Sequence, residues 1–293
     1  MRQLLDGKTL PILIVLATIV IVWYAAAIMM NAPWQQTLDQ RAGLENVPFT
    51  QFAVSTWSQD KPVLPSAHQV IGEIWTATIG TDIASKRSLA YHAGITLWAT
   101  LLGFALGTLL GIGLAVVIVH NDASDRSLMP WIIASQTIPI LAIAPMVVVG
   151  LGAVGVTGLL PKALISMYLS FFPVVVGMVK GLRTPEAIQL DLMRTYSASP
   201  WQLFSKLRWP SAIPFLFASM KVGIAISLIG AVVGELSNNA GGGLGVRLLT
   251  GSYNGQTVQI WAALFIAAGL AAVLVIAVGA AEAMANRRMG ARA

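Results

Sequence analysis

The chain alternates between long apolar runs and shorter polar stretches, and the runs are too long for the core helices of a soluble domain. Residues 10–30 form an unbroken apolar segment, just long enough to cross a bilayer at about 1.5 Å per residue. Comparable stretches follow at about 93–119, 129–152, 163–179, 213–236 and 258–285. The pattern predicts an all-α fold, a polytopic membrane helical bundle of six transmembrane helices, with both termini on one side. Residues 31–92 break it. They carry Asp39, Arg41, Glu45, Asp60, Lys61, Glu73, Asp82, Lys86 and Arg87 among prolines 33, 48, 62 and 65. This is the one sizeable water-facing stretch. Within it Ser66 can cap a short amphipathic helix in which Val70, Ile71, Ile74, Trp75 and Thr78 recur at helical spacing. The expected organisation is an N-terminal transmembrane helix (1–30), a periplasmic segment (31–92), a core transmembrane domain (93–285) with a cytoplasmic loop at 180–214, and a short cytoplasmic tail (286–293).

Composition sharpens this picture. Hydrophobic residues make up 56% and charged residues 10% of the 293, against about 45–50% and about 25% in soluble domains. A soluble enzyme, a disordered tail and a disulfide-stapled secreted domain are excluded. With no cysteine, thiol catalysis and Cys-built zinc sites are excluded as well. The net charge of +6 reads as a topology signal rather than a nucleic-acid footprint. With the N-terminus inside, the inner segments hold Arg2, Lys8, Arg126, Lys180, Arg183, Arg194, Lys206, Arg208, Lys221, Arg287, Arg288 and Arg292. Both termini are therefore expected in the cytoplasm. The first span is expected to remain uncleaved, since it is long for the apolar core of a leader ending at the alanines 25–27.

Several features fall within the spans. Gly103, Gly107 and Gly111 line one helix face, a spacing that admits a second helix at close range. Pro130, Pro139 and Pro145 are expected to break or kink the third span, with Gln136 and Thr137 beside the break. Freed backbone groups at membrane depth are tolerated only against protein or a wet cavity. Gln136 and Thr137, with Tyr168 and Ser170 on the fourth span, are candidates to line a solute path. Taken singly, each is more often an interhelical hydrogen bond. Glu235 is an acid in a long apolar run, either functional within the membrane or hydrated at its outer surface. His68, His92 and His120 are scattered without metal-ligand spacing, so no metal site and no acid–base pair is expected. Gly7-Lys8-Thr9 looks like the end of a phosphate-binding loop, but Arg2 stands where its first glycine belongs. The chain itself is expected to bind no cofactor.

The most telling segment is 180–214, basic and polar between two spans. It predicts two short helices, about 185–197 and 200–208, with Ser199 capping the second, Pro200 at its first position and Leu203, Phe204 and Leu207 as an apolar edge. A solvated loop has no need of Trp201, Phe204 and Trp209, so an apolar edge here expects a protein partner. The segment resembles the shared cytoplasmic loop of the membrane subunits of binding-protein-dependent (type I) ABC importers. That pattern is Glu-Ala-Ala, three residues, Gly, then Ile-x-Leu-Pro. Asp191 stands at the Glu, Leu192-Met193 at the alanines and Ser197 at the Gly, with Leu207, Trp209 and Pro210 at the end. Arg194-Thr195 and the run Ala198-Ser199-Pro200-Trp201-Gln202-Leu203-Phe204 look like the branch that carries nitrate, sulfonates, taurine and thiamine-precursor pyrimidines.

The resemblance implies a transport subunit rather than an enzyme. It implies a second copy of the permease, two cytoplasmic ABC ATPase subunits that hold ATP and Mg, and a periplasmic solute-binding protein, all beside membrane lipid and without nucleic acid. The coupling contacts would be Asp191, Arg194, Ser197, Ala198, Ser199, Pro200, Trp201, Leu203, Phe204 and Pro210. Residues 215–235 look more like the pyrimidine and riboflavin members than the sulfonate ones. Lys162 and Lys221 lie near span ends, which favours a neutral ring-shaped solute over an anion, one able to stack on Tyr168 or Phe171. A gradient-driven carrier with Glu235 as its proton site is the competing expectation, though no internal repeat supports it.

Overall fold

The computed structural model describes residues 9–44, 47–237 and 241–288, and these are helical with no strand among them. Arg2, Lys8, Glu45, Asn238, Asn239, Arg292 and positions 289–293 of the tail lie outside the described residues. The chain divides into two compact units. The first holds the described residues up to Ala90 together with Arg247–Ile266, and the second holds Tyr91–Val246 and the residues from Ala267 onward.

In the first unit, α1 (Thr9–Arg41) runs eleven residues beyond the expected end of the first span at residue 30, followed by α2 (Phe49–Trp57) and α3 (Ala67–Thr78). The reason is Asn31. Its fully buried carboxamide donates to the carbonyls of Thr56 (3.1 Å) and Leu64 (2.9 Å) and accepts from the N–H groups of Val63 (2.8 Å) and Leu64 (3.1 Å). Those four bonds use every donor and acceptor site an amide has. Gln59 extends the network to the Asn31 carbonyl and to Gln35, and Gln69 donates to the Gln59 carbonyl. Gln69 also accepts from the Ser66 N–H at 3.1 Å, so Ser66 heads α3 as expected. Val70 and Ala77 turn inward while Ile71 and Trp75 stay exposed, so the apolar residues of α3 are split between two faces. α1 is joined to the start of the last helix through Trp23, which packs on Trp261 and Phe265.

The second unit is built around α4 (Leu89–His120), α7 (Leu159–Leu182) and α10 (Trp209–Ser237). The glycine stripe of α4 meets α7 of the same chain: a Cβ on Gly103 would overlap Ser166, one on Gly107 would overlap Ser170, and one on Gly111 would overlap Val174. The partner advances in step with the glycine, so α4 and α7 run parallel. On α10 the order reverses. Gly234 faces Lys162, Gly230 faces Ser166, and Ser219 and Ala212 face Gly177 and Gly181, which makes α7 and α10 antiparallel. Buried hydroxyls bridge the three: Ser166 donates to the Ser227 carbonyl at 2.8 Å, and Ser227 donates to the Thr100 carbonyl at 3.0 Å.

Because α4 and α7 are parallel, the chain must return between them. It does so through α5 (Asp122–Ser135) and α6 (Ile140–Ala153), which meet at 96°. Among the described residues five helices are long and apolar enough to cross a membrane, and counting this bent pair as one span gives six. Of the three prolines expected to break or kink it, Pro139 stands at the break, just before α6. Pro130 and Pro145 lie inside helices. α8 (Ala187–Thr195), α9 (Pro200–Leu203), α11 (Leu244–Tyr253) and α12 (Thr257–Arg288) complete the chain. Lys221 of α10 pairs with Glu282 of α12.

Gly107→Leu is expected to lower the melting temperature and the folded yield of the detergent-solubilised chain, since overpacking costs about 1–3 kcal/mol. Gly113, on the same helix with no atom within 4 Å of an added Cβ, is the control, and Gly113→Leu should leave both unchanged. Equal behaviour of the two variants in fluorescence-detected size exclusion would remove the α4–α7 contact from the account.

Candidate coupling and translocation sites

At one end of the second unit, α7 finishes, α8 and α9 form a polar hairpin, and α10 begins. Gln189 accepts from the Glu186 N–H at 3.0 Å to start α8. The helix ends in a Schellman motif: the Ala198 N–H reaches the Met193 carbonyl (3.0 Å) and the Ser197 N–H reaches that of Arg194 (2.8 Å). Such an ending needs one left-handed residue. Ser197 supplies it at φ +53°, the only non-glycine with positive φ among the described residues. Glycine usually fills that position, because a Cβ there costs about 1–2 kcal/mol. Ser199 and Gln202 then form a reciprocal capping box at 2.8 and 3.3 Å, with Pro200 at the first helical position, as expected from sequence.

The apolar edge differs from the expected one. Leu203, Phe204 and Leu207 are half-buried, and Phe204 packs against His120 and Trp209 over a core of Ile118, Phe171, Val175, Met178 and Leu182. A π-helical turn at Phe204–Arg208 carries α9 straight into α10, absorbing Pro210, which has no N–H to donate. The exposed apolar side chains are instead Ile188 (74%), Leu192 (56%), Tyr196 (76%) and Trp201 (71%). The first three recur every four residues along α8 and its C-cap Tyr196, a stripe readable in the sequence. Asp191 and Arg194 form an exposed ion pair at 3.0 Å, worth little to stability. Arg183 ties the end of α7 to Asp125 of α5 at 2.8 Å.

The five expected path residues separate into groups. Gln136 and Thr137 stand at the α5–α6 break, and the Tyr168 hydroxyl donates to the adjacent Ser135 carbonyl. Tyr168 also lines a groove of about 460 Å³ between α6 and α7 with Ile140, Ile143, Val147 and Met167. Ser170 is elsewhere, fully buried opposite Gly107.

Glu235 lies at the opposite end of α10 from the polar hairpin and is fully buried. Its carboxylate accepts from the Thr96 hydroxyl, 2.9 and 3.0 Å from its two oxygens, and from the Gly245 N–H at 2.8 Å. The neighbouring bonds serve the same loop. Gly243 N–H donates to His92 Nδ1 (2.9 Å), Leu244 N–H to Thr96 Oγ1 (2.9 Å), and Lys162 Nζ, also buried, to the Gly242 carbonyl (2.6 Å). Gly241, Gly242 and Gly243 all have positive φ, and a Cβ on Gly243 would collide with the carboxylate. Glu235 therefore clamps a glycine loop. Sequence reading missed Thr96 as the partner of the carboxylate and His92 and Lys162 as holders of the same loop, although a buried carboxylate must find partners somewhere.

These observations define a multi-pass helical membrane protein with a packed three-helix centre, a broken span and a capped polar hairpin. A family model described as "binding-protein-dependent transport system inner membrane component" matches residues 107–291, and the chain belongs to that family. It is a permease subunit of an ABC importer and not itself an enzyme. It is 32% identical over 197 residues to the formylaminopyrimidine transport permease protein of Halalkalibacterium halodurans, covering 67% of this chain and 74% of that one. It is 30% identical over 240 residues to the riboflavin transport system permease protein of Chloroflexus aurantiacus, covering 82% and 85%. The nitrate import permease protein of a Synechocystis is 23% identical, covering 67% and 70%.

Two outcomes test this geometry. Ser197→Gly should stabilise the end of α8 by about 0.5–1 kcal/mol, relief of strain offset in part by glycine's freedom in the unfolded chain. Hydrogen exchange at the Ala198 amide should then slow by about two- to fivefold. Glu235→Ala should free the glycine loop, seen as rapid proteolytic nicking between 241 and 245. A loop as resistant as in the parent chain would show that the carboxylate does not hold it.

Proposed function

We propose that this chain forms, with a second copy, the membrane path of an ATP-driven importer for a neutral, ring-shaped solute of the pyrimidine or vitamin-precursor kind, handed over by a periplasmic binding protein. N- and C-termini lie in the cytoplasm, where the polar hairpin of α8 and α9 docks into one of two separate ATPase subunits that carry ATP and Mg. The observation that carries this reading is the stripe Ile188, Leu192, Tyr196 and Trp201, held out by a rigidly capped hairpin. An apolar and aromatic patch of this kind on a basic loop is a docking surface. Its direct run into α10 through the π-helical turn makes it a lever on a span.

The solute class rests on charge and shape. Lys162 is committed to the Gly242 carbonyl and Lys221 to Glu282, so neither lysine is left for an anion. The groove beside Tyr168 is apolar and large enough for one small ring. The relatives named for formylaminopyrimidine and riboflavin agree with a ring, while the more distant nitrate relative points to the alternative of sulfonate, taurine or nitrate. A proton-coupled carrier is less favoured, because the Glu235 carboxylate is occupied by the loop it holds.

Purification of the tagged chain from native membranes should recover an ABC ATPase in one-to-one ratio. The Leu192→Ala, Trp201→Ala double variant should lower that recovery by about tenfold or more, the usual consequence of losing an interface anchor. Full recovery would sink the coupling assignment. Calorimetry of the co-purified binding protein against an aminopyrimidine, riboflavin, taurine and nitrate should give binding only with a ring compound. Tight binding of taurine or nitrate would overturn the solute class.

A further inference from the structure

The first unit contains a polar cleft of about 450 Å³ between α3 and α11, lined by Glu73, Thr76, Arg87, Arg247, Asn254 and Gln259. Arg247 Nη2 donates to the Arg87 carbonyl at 3.3 Å, but its buried Nε has no hydrogen-bond partner among the described residues. The buried Gln259 Oε1 is unpartnered in the same sense. Burial pulls the Arg247 guanidinium down from its ordinary pKa, and Glu73 acts against that. A buried donor or acceptor left unpaired is costly, about 1–3 kcal/mol each, so a cleft holding one of each is built to be filled. Two arginines facing one glutamate leave a positive balance, which calls for an acid. A bare anion would pair Arg247 and still leave Gln259 without a donor. A peptide segment meets both demands, with a carboxylate as acceptor and its own N–H as donor, and the volume is several times that of a single carboxylate.

We propose that this cleft receives an acidic loop tip of the solute-binding protein, its carboxylate on Arg247 and Arg87 and a backbone N–H on Gln259. The proposal rests on the reading of the chain as an importer subunit served by such a protein. A guanidinium–carboxylate pair in a partly buried cleft is charge-assisted and favours bidentate geometry, which lysine reproduces only in charge.

The test is a photo-reactive amino acid at Thr76 in intact cells of the native host, with the exposed Phe49 of α2 as the control position. The Thr76 position should capture the solute-binding protein, with the adduct mapping to a segment that carries Asp or Glu. Arg247→Gln should lower the adduct yield by about tenfold or more and Arg247→Lys should retain part of it. Adducts from the Phe49 position alone, or a Thr76 adduct indifferent to Arg247→Gln, would overturn the proposal. Stabilisation of the solubilised chain by millimolar acetate or phosphate through Arg247, with no protein adduct, would assign the cleft to a free anion and also overturn it. Recovery of the ATPase from the same cells reports separately on the importer reading, and it should survive Arg247→Gln.

Discussion

Close approach between α7 and its two neighbours is the constraint from which the rest of the second unit follows. Lipid offers no hydrophobic advantage to burying one apolar helix against another, so association depends on dispersion contact at short range and on interhelical hydrogen bonds. Both are present here. Glycines 103, 107 and 111 of α4 and glycines 230 and 234 of α10 bring backbone against α7, and Ser166 and Ser227 bond across the seam. The contact leaves no room for a methyl group at positions 103, 107, 111 and 230 and is tight at 234. It therefore fixes helix register as well as association, and register decides what each end of the bundle presents.

At one end, that register holds the base of the α8–α9 hairpin against α5 and α10. The hairpin is made stiff by local devices: a capping box at each helix start and a Schellman ending between them. A lever must resist bending more than it must add stability, and each of these bonds is short-range and independent of the bilayer. At the other end, the same register places Thr96, Lys162 and Glu235 around a glycine loop. A buried carboxylate is tolerated only when hydroxyl and amide donors surround it. Here those donors come from Thr96 of α4 and from Gly245 at the start of α11, so the acid's need for partners and the need to fix the end of the loop are met by the same bonds. Between the two ends lies the broken span, where the Ser135 carbonyl beside Gln136 accepts from the Tyr168 hydroxyl.

Much of this could be read from the chain alone, for physical reasons that also explain the exceptions. Span positions, the Ser66 and Ser199 helix starts and the interruption at Pro139 depend on local composition and backbone chemistry, which sequence carries directly. The partner of the α4 glycine stripe did not: a four-residue spacing says that some helix comes close, and only the fold says that it is α7. Phe204 was misread as exposed for a similar reason. Its position in the hairpin suggests an outer edge, but the π-helical turn rotates it onto His120 and Trp209 and leaves Trp201 outside. α1 outran its expected end because Asn31, a polar residue that reads as a span terminus, is buried and fully bonded in mid-helix.

Ser197 shows how local strain and global geometry are connected. A left-handed residue is required wherever a helix must end in a Schellman turn and the chain must double back at once, and the hairpin needs that reversal to return to α10. Serine in this position costs stability that glycine would not, but it restricts the unfolded chain more than glycine does. The two effects are opposite in sign, and the second offsets the first only in part. The reversal is therefore preserved although the residue type departs from the expected glycine, because the two bonds from Ser197 and Ala198 back to α8 depend on the backbone alone. The geometry of the hairpin is thus set by its capping bonds, while side-chain identity decides what the outer stripe can bind.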